Sequence, residues 1–294
     1  MAIKILLLGN TGQLGWELNR TLLTLGELTA LDYPEIDMAD ETSIRAIVQD
    51  AQPDLIVNAT AYTNVDGAET EKELAMAING RGPGILAEEA EKRGAALIHY
   101  STDYVFDGKK GSPYTEQDAP NPINFYGESK LAGEEAIQAV GGAYLLFRTS
   151  WVYSTRRPCF VTKVLKWAEK REVLRIVDDQ ISTPTWCRSL AEATTHVVAQ
   201  WRGDPIGWIA EKSGMYHLTD GGSCSRFKWA QEIIRNSQFD GKVMVEPAKS
   251  ADFPTMAVRP SKSELDRSFF LKTFYLLINE WRNNLKIAMD LMTN

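Results

Sequence analysis

Short runs of consecutive apolar residues alternate with amphipathic segments through the first half of the chain. Runs rich in Ile, Val and Leu predict strands, and between Ile3 and Ser150 they read IKILLLG, LTALD, DLIVNAT, AALIHYST and YLLFRTS. Such runs are typical of parallel strands that are buried on both faces. The segments between them, including QLGWELNRTLLTL and GILAEEAEKRG, carry apolar residues at helical spacing. The pattern therefore predicts an α/β fold with a doubly wound parallel sheet.

The alternation loosens beyond Trp151. The segments FVTKVLKWAEKR, SLAEATTHVVAQW and RFKWAQEIIRN predict helices, and VLRIVDD and GMYHLTD predict short strands between them. We therefore expect a first domain over residues 1–150 and a smaller, mixed α/β carboxyl-terminal lobe over residues 151–294. The boundary is soft, and some segments of the second half are expected to return to the first domain.

Composition and charge narrow the classes of function. The chain has 294 residues, 44% of them hydrophobic, with a net charge of −7. This charge argues against a nucleic-acid surface, which needs clustered Lys and Arg. The cysteines, Cys159, Cys187 and Cys224, are odd in number and widely spaced, so neither a disulfide framework nor zinc is indicated. The apolar start AIKILLLGN is shorter than the roughly 20 residues of a membrane span, and a cytoplasmic protein is expected.

A glycine-rich turn follows the first predicted strand. In GNTGQLGWEL, Gly9, Gly12 and Gly15 stand between that strand and the start of the first helix. One glycine permits a sharp turn, another lets the backbone approach a pyrophosphate, and a third lets the helix pack on the strand. The alternative is a strand-to-helix turn without a ligand. We predict a Rossmann-type dinucleotide site that makes residues 1–150 the dinucleotide-binding domain.

Carboxylates after the second strand bear on the choice of cofactor. Asp32 lies at the distance from Gly9 expected for the ribose-binding acid at the end of this strand, although it could be a simple loop carboxylate. No Arg or Lys lies between Asp32 and Arg45 to neutralise a 2′-phosphate, so NADH is favoured over NADPH. Asp37 could cap the next helix or reach the adenine together with Met38.

A tyrosine and a lysine stand four positions apart in NFYGESKLAGEE, at the start of a predicted helix. This spacing places Tyr126 and Lys130 on one helix face. A free phenol has a pKa of about 10, and a nearby ammonium group would lower that pKa and make the phenol a useful proton donor. Thr102 follows the fourth strand at the sheet edge where ligands bind. The alternatives are a solvated helix face and a hydroxyl that caps a strand end.

Seven motifs in order carry a resemblance that runs nearly from end to end. They are GNTGQLGWEL, PDLIVNATAYTNVDGAE, HYSTDYVFDG, NFYGESKLAGE, FRTSWVY, DDQISTPT and RPSKSELD. The chain resembles the extended short-chain dehydrogenase/reductases and, among them, the dTDP-4-dehydrorhamnose reductase family. The resemblance implies NAD(P)H-dependent reduction of the C4 ketone of dTDP-4-dehydro-6-deoxy-L-mannose to dTDP-L-rhamnose.

The resemblance also implies roles for individual residues. Thr102, Tyr126 and Lys130 would form the catalytic triad, with Lys130 also holding the nicotinamide ribose. The sugar nucleotide would lie against Thr102, Asp103 and Trp151. Cofactor contacts would come from Gly12, Gln13, Leu14, Asp37, Met38, Ala61, Tyr62, Thr63 and Tyr100.

The carboxyl-terminal lobe is expected to hold the nucleotide part of the substrate. An indole at Trp151 offers a flat apolar face to a deoxysugar, and Arg259 could pair with a diphosphate. Unaided, SWVY and DDQISTPT could equally be core strand and turn. The chain departs from the family at STRRPCF, where Pro158 and Cys159 replace an expected polar approach to Phe160, and this departure puts substrate fit in doubt.

Other functions stay open at this point. A 4,6-dehydratase would need a glutamate where Tyr104 follows Asp103, which makes dehydration improbable. A non-catalytic NAD(P)-binding regulatory subunit, or a reductase of another nucleotide-linked 4-keto sugar, remains an alternative. Some relatives bind magnesium between subunits through helix-borne glutamates, and Glu17 matches one such position, but we claim no metal site. A homodimer is possible.

Overall fold

The strands of the computed structural model follow the apolar runs of the sequence, and the structure describes residues 2–201 and 204–293. The strands are β1 (Ile3–Leu8), β2 (Gly26–Leu31), β3 (Leu55–Asn58), β4 (Ala96–Thr102), β5 (Ala143–Thr149), β6 (Val152–Tyr153), β7 (Val173–Val177), β8 (Ile181–Ser182), β9 (Thr185–Trp186), β10 (Gly214–His217), β11 (Cys224–Ser225) and β12 (Met244–Ala248).

The helices begin and end close to the amphipathic segments. They are α1 (Gln13–Leu22), α2 (Glu41–Ala51), α3 (Lys72–Met76), α4 (Gly82–Arg93), α5 (Phe125–Val140), α6 (Phe160–Ala168), α7 (Cys187–Ala199), α8 (Pro205–Glu211), α9 (Arg226–Arg235), α10 (Ser268–Phe274) and α11 (Trp281–Thr293). A π turn, Ala77–Arg81, joins α3 to α4. Over residues 2–201 and 204–293, each helix is too short or too polar to cross a membrane.

The main sheet has six strands in the order β10-β5-β4-β3-β1-β2, and all its pairs are parallel. Successive residues of a strand point to opposite faces, so Ile5 and Leu7 enter one apolar core while Leu6 and Leu8 enter a second. The doubly wound prediction is confirmed. The strand order reverses between β1 and β3, and ligands of open α/β sheets bind at such a switch point.

The second half of the chain contributes to both parts of the molecule. β10 returns to the main sheet and pairs with β5, from Gly214 beside Leu145 to His217 beside Arg148. The remaining short strands form the pairs β12 with β7, β6 with β9 and β11 with β8. One apolar core is continuous between Leu7 of the sheet and Trp229 of α9. The assignment of residues 1–150 and 151–294 to separate tasks stays a prediction.

Candidate active site

A cleft of about 570 Å³ opens at the carboxyl ends of β1 and β3, at the switch point of the sheet. The sequence prediction finds much of its wall but misses several residues, among them Thr60, Ser101, Thr149 and Arg157. The predicted residues that line it are Gly9, Gly12, Gln13, Leu14, Asp32, Asp37, Met38, Ala61, Thr63, Tyr100, Tyr126 and Lys130.

Each of the three glycines of the turn meets a different structural requirement. Gly9 has φ +86°, in the left-handed region that favours glycine. A Cβ on Gly15 would lie 1.9 Å from the carbonyl oxygen of Gly9, so the helix can approach the strand only without a side chain there. Gly12 is the N-cap of α1 and has no side chain to occupy the first amides of the helix. These N–H groups are therefore available to an anion in the cleft.

The two predicted acidic residues of this edge have different partners. The Asp32 carboxylate accepts hydrogen bonds from the backbone N–H of Thr11 at 3.0 Å and from that of Tyr33 at 2.8 Å, which ties it to the glycine turn. Asp37 accepts from the N–H of Ala39 at 2.9 Å. The alternative that Asp37 caps α2 is wrong, because Asp40 is the N-cap and accepts from Thr42 at 2.9 Å.

Unpartnered polar atoms in the wall test whether a dinucleotide fits this cleft. The hydroxyls of Ser101 and Thr149 and the side-chain oxygen of Gln13 are buried and have no hydrogen-bond partner among the residues the structure describes. An unpaired buried polar group costs about 1–3 kcal/mol, so such atoms favour a polar ligand. All three line the cleft. Together with the open amides of α1, they fit a phosphate- and amide-bearing cofactor.

Tyr62 is the predicted cofactor residue whose side chain lies elsewhere. Its hydroxyl donates to Glu71 instead of facing the cleft. Its backbone is held by Asn79 of the π turn, which accepts from the Tyr62 N–H at 2.9 Å and donates to the Tyr62 carbonyl at 3.0 Å. Asn79 also donates to Ser129 of α5 at 3.0 Å. This asparagine, which sequence reasoning missed, fixes the loop that carries Ala61 and Thr63.

The candidate proton donor lies in the first turn of α5. Asn124 caps this helix by accepting from the N–H of Gly127 at 2.8 Å, and it donates to the carbonyl of Val258 at 2.8 Å. Burial raises the pKa of the Tyr126 phenol above its ordinary value, against a hydrogen bond with the Thr102 hydroxyl that lowers it. The prediction of a lowered phenol pKa is wrong here, because desolvation outweighs the other influences.

Lys130 is fully buried and points back towards β4. Its ammonium donates to the carbonyl of Tyr100 at 2.6 Å and lies 3.2 Å from Nε2 of His99. Burial lowers the pKa of Lys130 to about 8, opposed by the nearby carboxylate of Glu134. The lysine is thus held in place beside the cleft by the strand.

The contact between His99 and Lys130 is set by a neighbouring amide. The side-chain oxygen of Asn58 accepts from the Thr60 N–H at 3.0 Å, so its amino group faces Nδ1 of His99 at 3.1 Å. Nδ1 must then accept, and the hydrogen of a neutral imidazole lies on Nε2, towards Lys130. This arrangement opposes the ammonium form of the lysine. Burial, followed by the charge of Lys130, lowers the pKa of His99 well below its ordinary value.

A larger cleft of about 740 Å³ adjoins the first and lies mainly among residues of the second half. Gln13 and Val152 line both clefts. Trp151 lies in its wall, as predicted, with φ +40° in a region that non-glycine residues rarely adopt. Its indole is not a bare face, since it stacks on Trp229 at 5.6 Å and carries the Arg226 guanidinium 3.7 Å above its ring.

The other predicted substrate residues are engaged within the protein. Arg259 lines the larger cleft, but its guanidinium bonds both carboxylate oxygens of Asp66, at 3.1 and 2.7 Å. Asp103 is buried and accepts hydrogen bonds from Ser182 and Ser263. Burial raises the pKa of Asp103 to about 6, opposed by these hydroxyls. Neither Thr102 nor Asp103 is part of the wall of the two clefts.

The residues considered for metal and disulfide chemistry serve other contacts. Glu17 forms an ion pair with Arg20 at 3.2 Å and lies 3.9 Å from Arg188. In the described part of the chain, no group of three or more His, Cys, Asp or Glu side chains is placed to hold a metal ion. The three cysteines are free thiols in the interior.

The parallel sheet, the glycine turn and the adjoining clefts define an oxidoreductase with a Rossmann-type dinucleotide fold. The family model described as the RmlD substrate binding domain matches residues 3–294, and the chain belongs to this family. A relative from Burkholderia thailandensis named dTDP-4-dehydrorhamnose reductase is 40% identical over 286 residues, covering 95% of this chain and 96% of the relative. A relative of the same name from Escherichia coli K12 is 38% identical over 296 residues, covering 98% of this chain and 97% of the relative.

Solved structures agree with the sequence relatives. A dTDP-4-dehydrorhamnose reductase from Clostridium acetobutylicum superposes with a TM-score of 0.91 at 33% identity, covering 99% of this chain and 100% of that one. A Bacillus anthracis enzyme of the same name, in complex with NADP, gives a TM-score of 0.90 at 31% identity with the same coverage. The predicted family is confirmed.

Proposed function

We propose that this chain reduces the C4 ketone of dTDP-4-dehydro-6-deoxy-L-mannose to dTDP-L-rhamnose with NADH or NADPH. The observation that carries the proposal is the position of Tyr126, in the cofactor cleft and within hydrogen-bonding reach of Thr102. That cleft meets a second one at Gln13 and Val152, so a cofactor and a sugar nucleotide can be held side by side. The names of the relatives supply the substrate.

The candidate triad provides the proton for this reduction. Bound reduced nicotinamide supplies the hydride to the carbonyl carbon. Tyr126, whose raised pKa keeps the phenol protonated at neutral pH, gives its proton to the carbonyl oxygen. The Thr102 hydroxyl orients the phenol and stabilises the phenolate that proton transfer leaves. Lys130, with a pKa lowered to about 8, can return a proton to this site near neutral pH.

The larger cleft offers cations for the nucleotide part of the substrate. Arg226, Lys163 and Arg171 line its wall, and guanidinium and ammonium groups bind diphosphate well. Arg259, by contrast, is paired with Asp66, so it ties its own segment of this wall to Asp66 instead of offering a free charge. Phe160 and Trp167, which are in edge contact in the same wall, provide apolar surface for a deoxysugar or a base.

Nicotinamide oxidation with a panel of substrates tests the proposal. The panel is the dTDP-linked 4-keto sugar named above, its UDP-linked counterpart and a dTDP-linked 4-keto sugar of different ring stereochemistry. Fastest turnover of the first supports the proposal. Fastest turnover of another member identifies a reductase of a different sugar, and cofactor binding without turnover of any member favours a non-catalytic subunit.

Homodimer formation and cytoplasmic location stay predictions.

A further inference from the structure

The loop of residues 154–158, with the sequence STRRP, places two adjacent arginines beside the cofactor cleft. Sequence reasoning linked this loop to substrate fit. In the structure, Arg157 and Pro158 line the cofactor cleft. Arg156 and Arg157 also line a small neighbouring cleft of about 230 Å³, formed with Asn10, Thr11, Gly12, Trp16 and Asn19.

The loop is held by one contact to α1 and by local hydrogen bonds to Ser154. The Arg156 guanidinium lies 3.6 Å above the ring of Trp16, an exposed residue of α1, in cation–π geometry. The N–H of Arg156 donates to the Ser154 hydroxyl at 3.0 Å, and the thiol of Cys159 donates to the Ser154 carbonyl at 3.3 Å. The Arg156–Trp16 contact docks the loop against the first helix, beside the small cleft that Arg157 shares with Gly12.

Arg157 is available to a ligand. Within residues 2–201 and 204–293, no acidic side chain forms an ion pair with it. Asp32, an acidic residue of the cofactor cleft wall, already accepts hydrogen bonds from Thr11 and Tyr33. Gly12 and Arg157 line both the cofactor cleft and the small cleft. The guanidinium therefore shares these cavities with the glycine at which backbone amides face an anion.

We propose that Arg157 binds the pyrophosphate of the dinucleotide and, with the glycine turn, forms a clamp on it. A guanidinium offers paired donors that match phosphate oxygens, which a lysine cannot reproduce. The pyrophosphate is favoured over a 2′-phosphate because Arg157 shares both cavities with Gly12, while the ribose end of the cleft carries the negative charge of Asp32. The clamp rests on the proposed function only in taking the dinucleotide as ligand.

Equilibrium binding of NADH and of NADPH to the full chain, followed by reduced-nicotinamide fluorescence without any sugar nucleotide, tests the clamp. We expect Arg157→Gln, at an exposed position, to weaken binding of both cofactors by about tenfold, the usual scale for one hydrogen bond to a charged group. Arg157→Lys should recover only part of this loss. Arg93→Gln removes an equal charge from an exposed position at the end of α4, outside both clefts, and should change affinity less than twofold.

Each outcome of these binding measurements either supports or overturns the proposed Arg157 clamp. Equal losses for NADH and NADPH support the pyrophosphate contact, and a smaller parallel loss in Trp16→Leu supports the docking of the loop through Arg156. A loss confined to NADPH assigns Arg157 to the 2′-phosphate and overturns the proposal, as does unchanged binding of both cofactors. Thermal unfolding without ligand shows that the variants are folded. A chain that binds cofactor through Arg157 but reduces no sugar would contradict the proposed function and leave the clamp intact.

Discussion

Tyr126 and Lys130 share a face of α5 because residues four apart on a helix are neighbours. The sequence is sufficient to find this pair, since helix periodicity is a local property. It cannot supply their surroundings, because burial depends on strands and loops that are distant in the chain. Burial raises the pKa of Tyr126 and lowers that of Lys130, and the lysine nitrogen bonds the Tyr100 carbonyl at 2.6 Å. The pair is therefore predictable from the sequence, whereas the pKa shifts of its two side chains depend on the fold.

Removal of the Tyr126 hydroxyl tests its role as proton donor. Tyr126→Phe should lower turnover by about two to four orders of magnitude, the usual effect of losing a general acid, while cofactor affinity changes little. The aromatic ring stays in edge contact with Tyr104, at 5.8 Å between centroids, so the fold should persist. Tyr144→Phe on β5, outside both clefts, is the matched control. Undiminished turnover would remove Tyr126 from the mechanism.

The buried charge of Lys130 makes a prediction about stability and pH. Its pKa falls from 10.5 in the unfolded chain to about 8 in the folded one, so the unfolded state binds more protons between these values. The resulting cost to folding is absent above the unfolded pKa, grows as pH falls towards the folded pKa, and is complete below it. Lys130→Met removes this cost, which is at most on the order of 3 kcal/mol.

Urea unfolding of Lys130→Met and of the unchanged protein from about pH 7 to 10 measures this effect. The free energy of unfolding of the variant relative to the unchanged protein should be highest near neutral pH and decline towards pH 10. Loss of the hydrogen bond to Tyr100 changes the free energy of unfolding of the variant by the same amount at every pH, so it does not alter the pH dependence of the difference. Lys242→Met, at an exposed position, controls for general charge effects. A difference that is flat or rises with pH would contradict the pKa direction.

At the level of elements, the glycine turn can be predicted from the sequence because each of its structural constraints is local. Strand, turn and helix follow one another within β1 and α1, and the glycine spacing reports their close approach. The residues of the opposite wall of this cleft were not predicted from the sequence, because they come from segments that are remote in the chain. Thr149 ends β5, and Arg157 belongs to the loop before α6. Only the sheet order and the docking of that loop bring them to the cofactor cleft.

Methyl groups added at the glycines test the turn. Gly15→Ala would place a Cβ 1.9 Å from the Gly9 carbonyl oxygen, which is backbone, so the turn itself must shift. We expect NADH affinity to fall by about a hundredfold or more, as for the loss of two or more phosphate hydrogen bonds. Gly12→Ala meets the same oxygen at 3.2 Å and should retain more stability.

A control glycine separates this clash from backbone strain. Gly111→Ala has φ +80° but meets no atom within 4 Å, so it should cost about 1 kcal/mol of stability and leave cofactor binding unchanged. Isothermal titration with NADH and thermal unfolding measure the two effects. Normal NADH affinity in Gly15→Ala would show that close helix-to-strand packing is not needed for the site.

At the scale of the whole molecule, the apolar pattern predicts the sheet but not all of its strands. GMYHLTD reads as a short strand of the second half, and nothing local shows that it pairs with β5 at the edge of the main sheet. Side chains also cross between the halves: the Tyr100 hydroxyl bonds that of Thr194 at 2.7 Å, and Thr195 bonds Thr21 at 2.7 Å. Such pairings are long in sequence and leave no periodic signal.

These shared contacts predict that residues 1–150 do not form a stable domain alone. Without β10 the edge of β5 is unpaired, and without α7 the apolar face of α1 loses the partner that buries Leu18 and Leu22. An open strand edge and a bare apolar face favour aggregation over folding. We expect fragment 1–150 to be insoluble or to lack cooperative thermal unfolding and NADH binding. Co-expression with fragment 151–294 should restore both by completing the sheet and the core. A soluble 1–150 fragment that unfolds cooperatively and binds NADH would instead show that the dinucleotide-binding half is self-sufficient, because it would have formed its core without any residue of the second half.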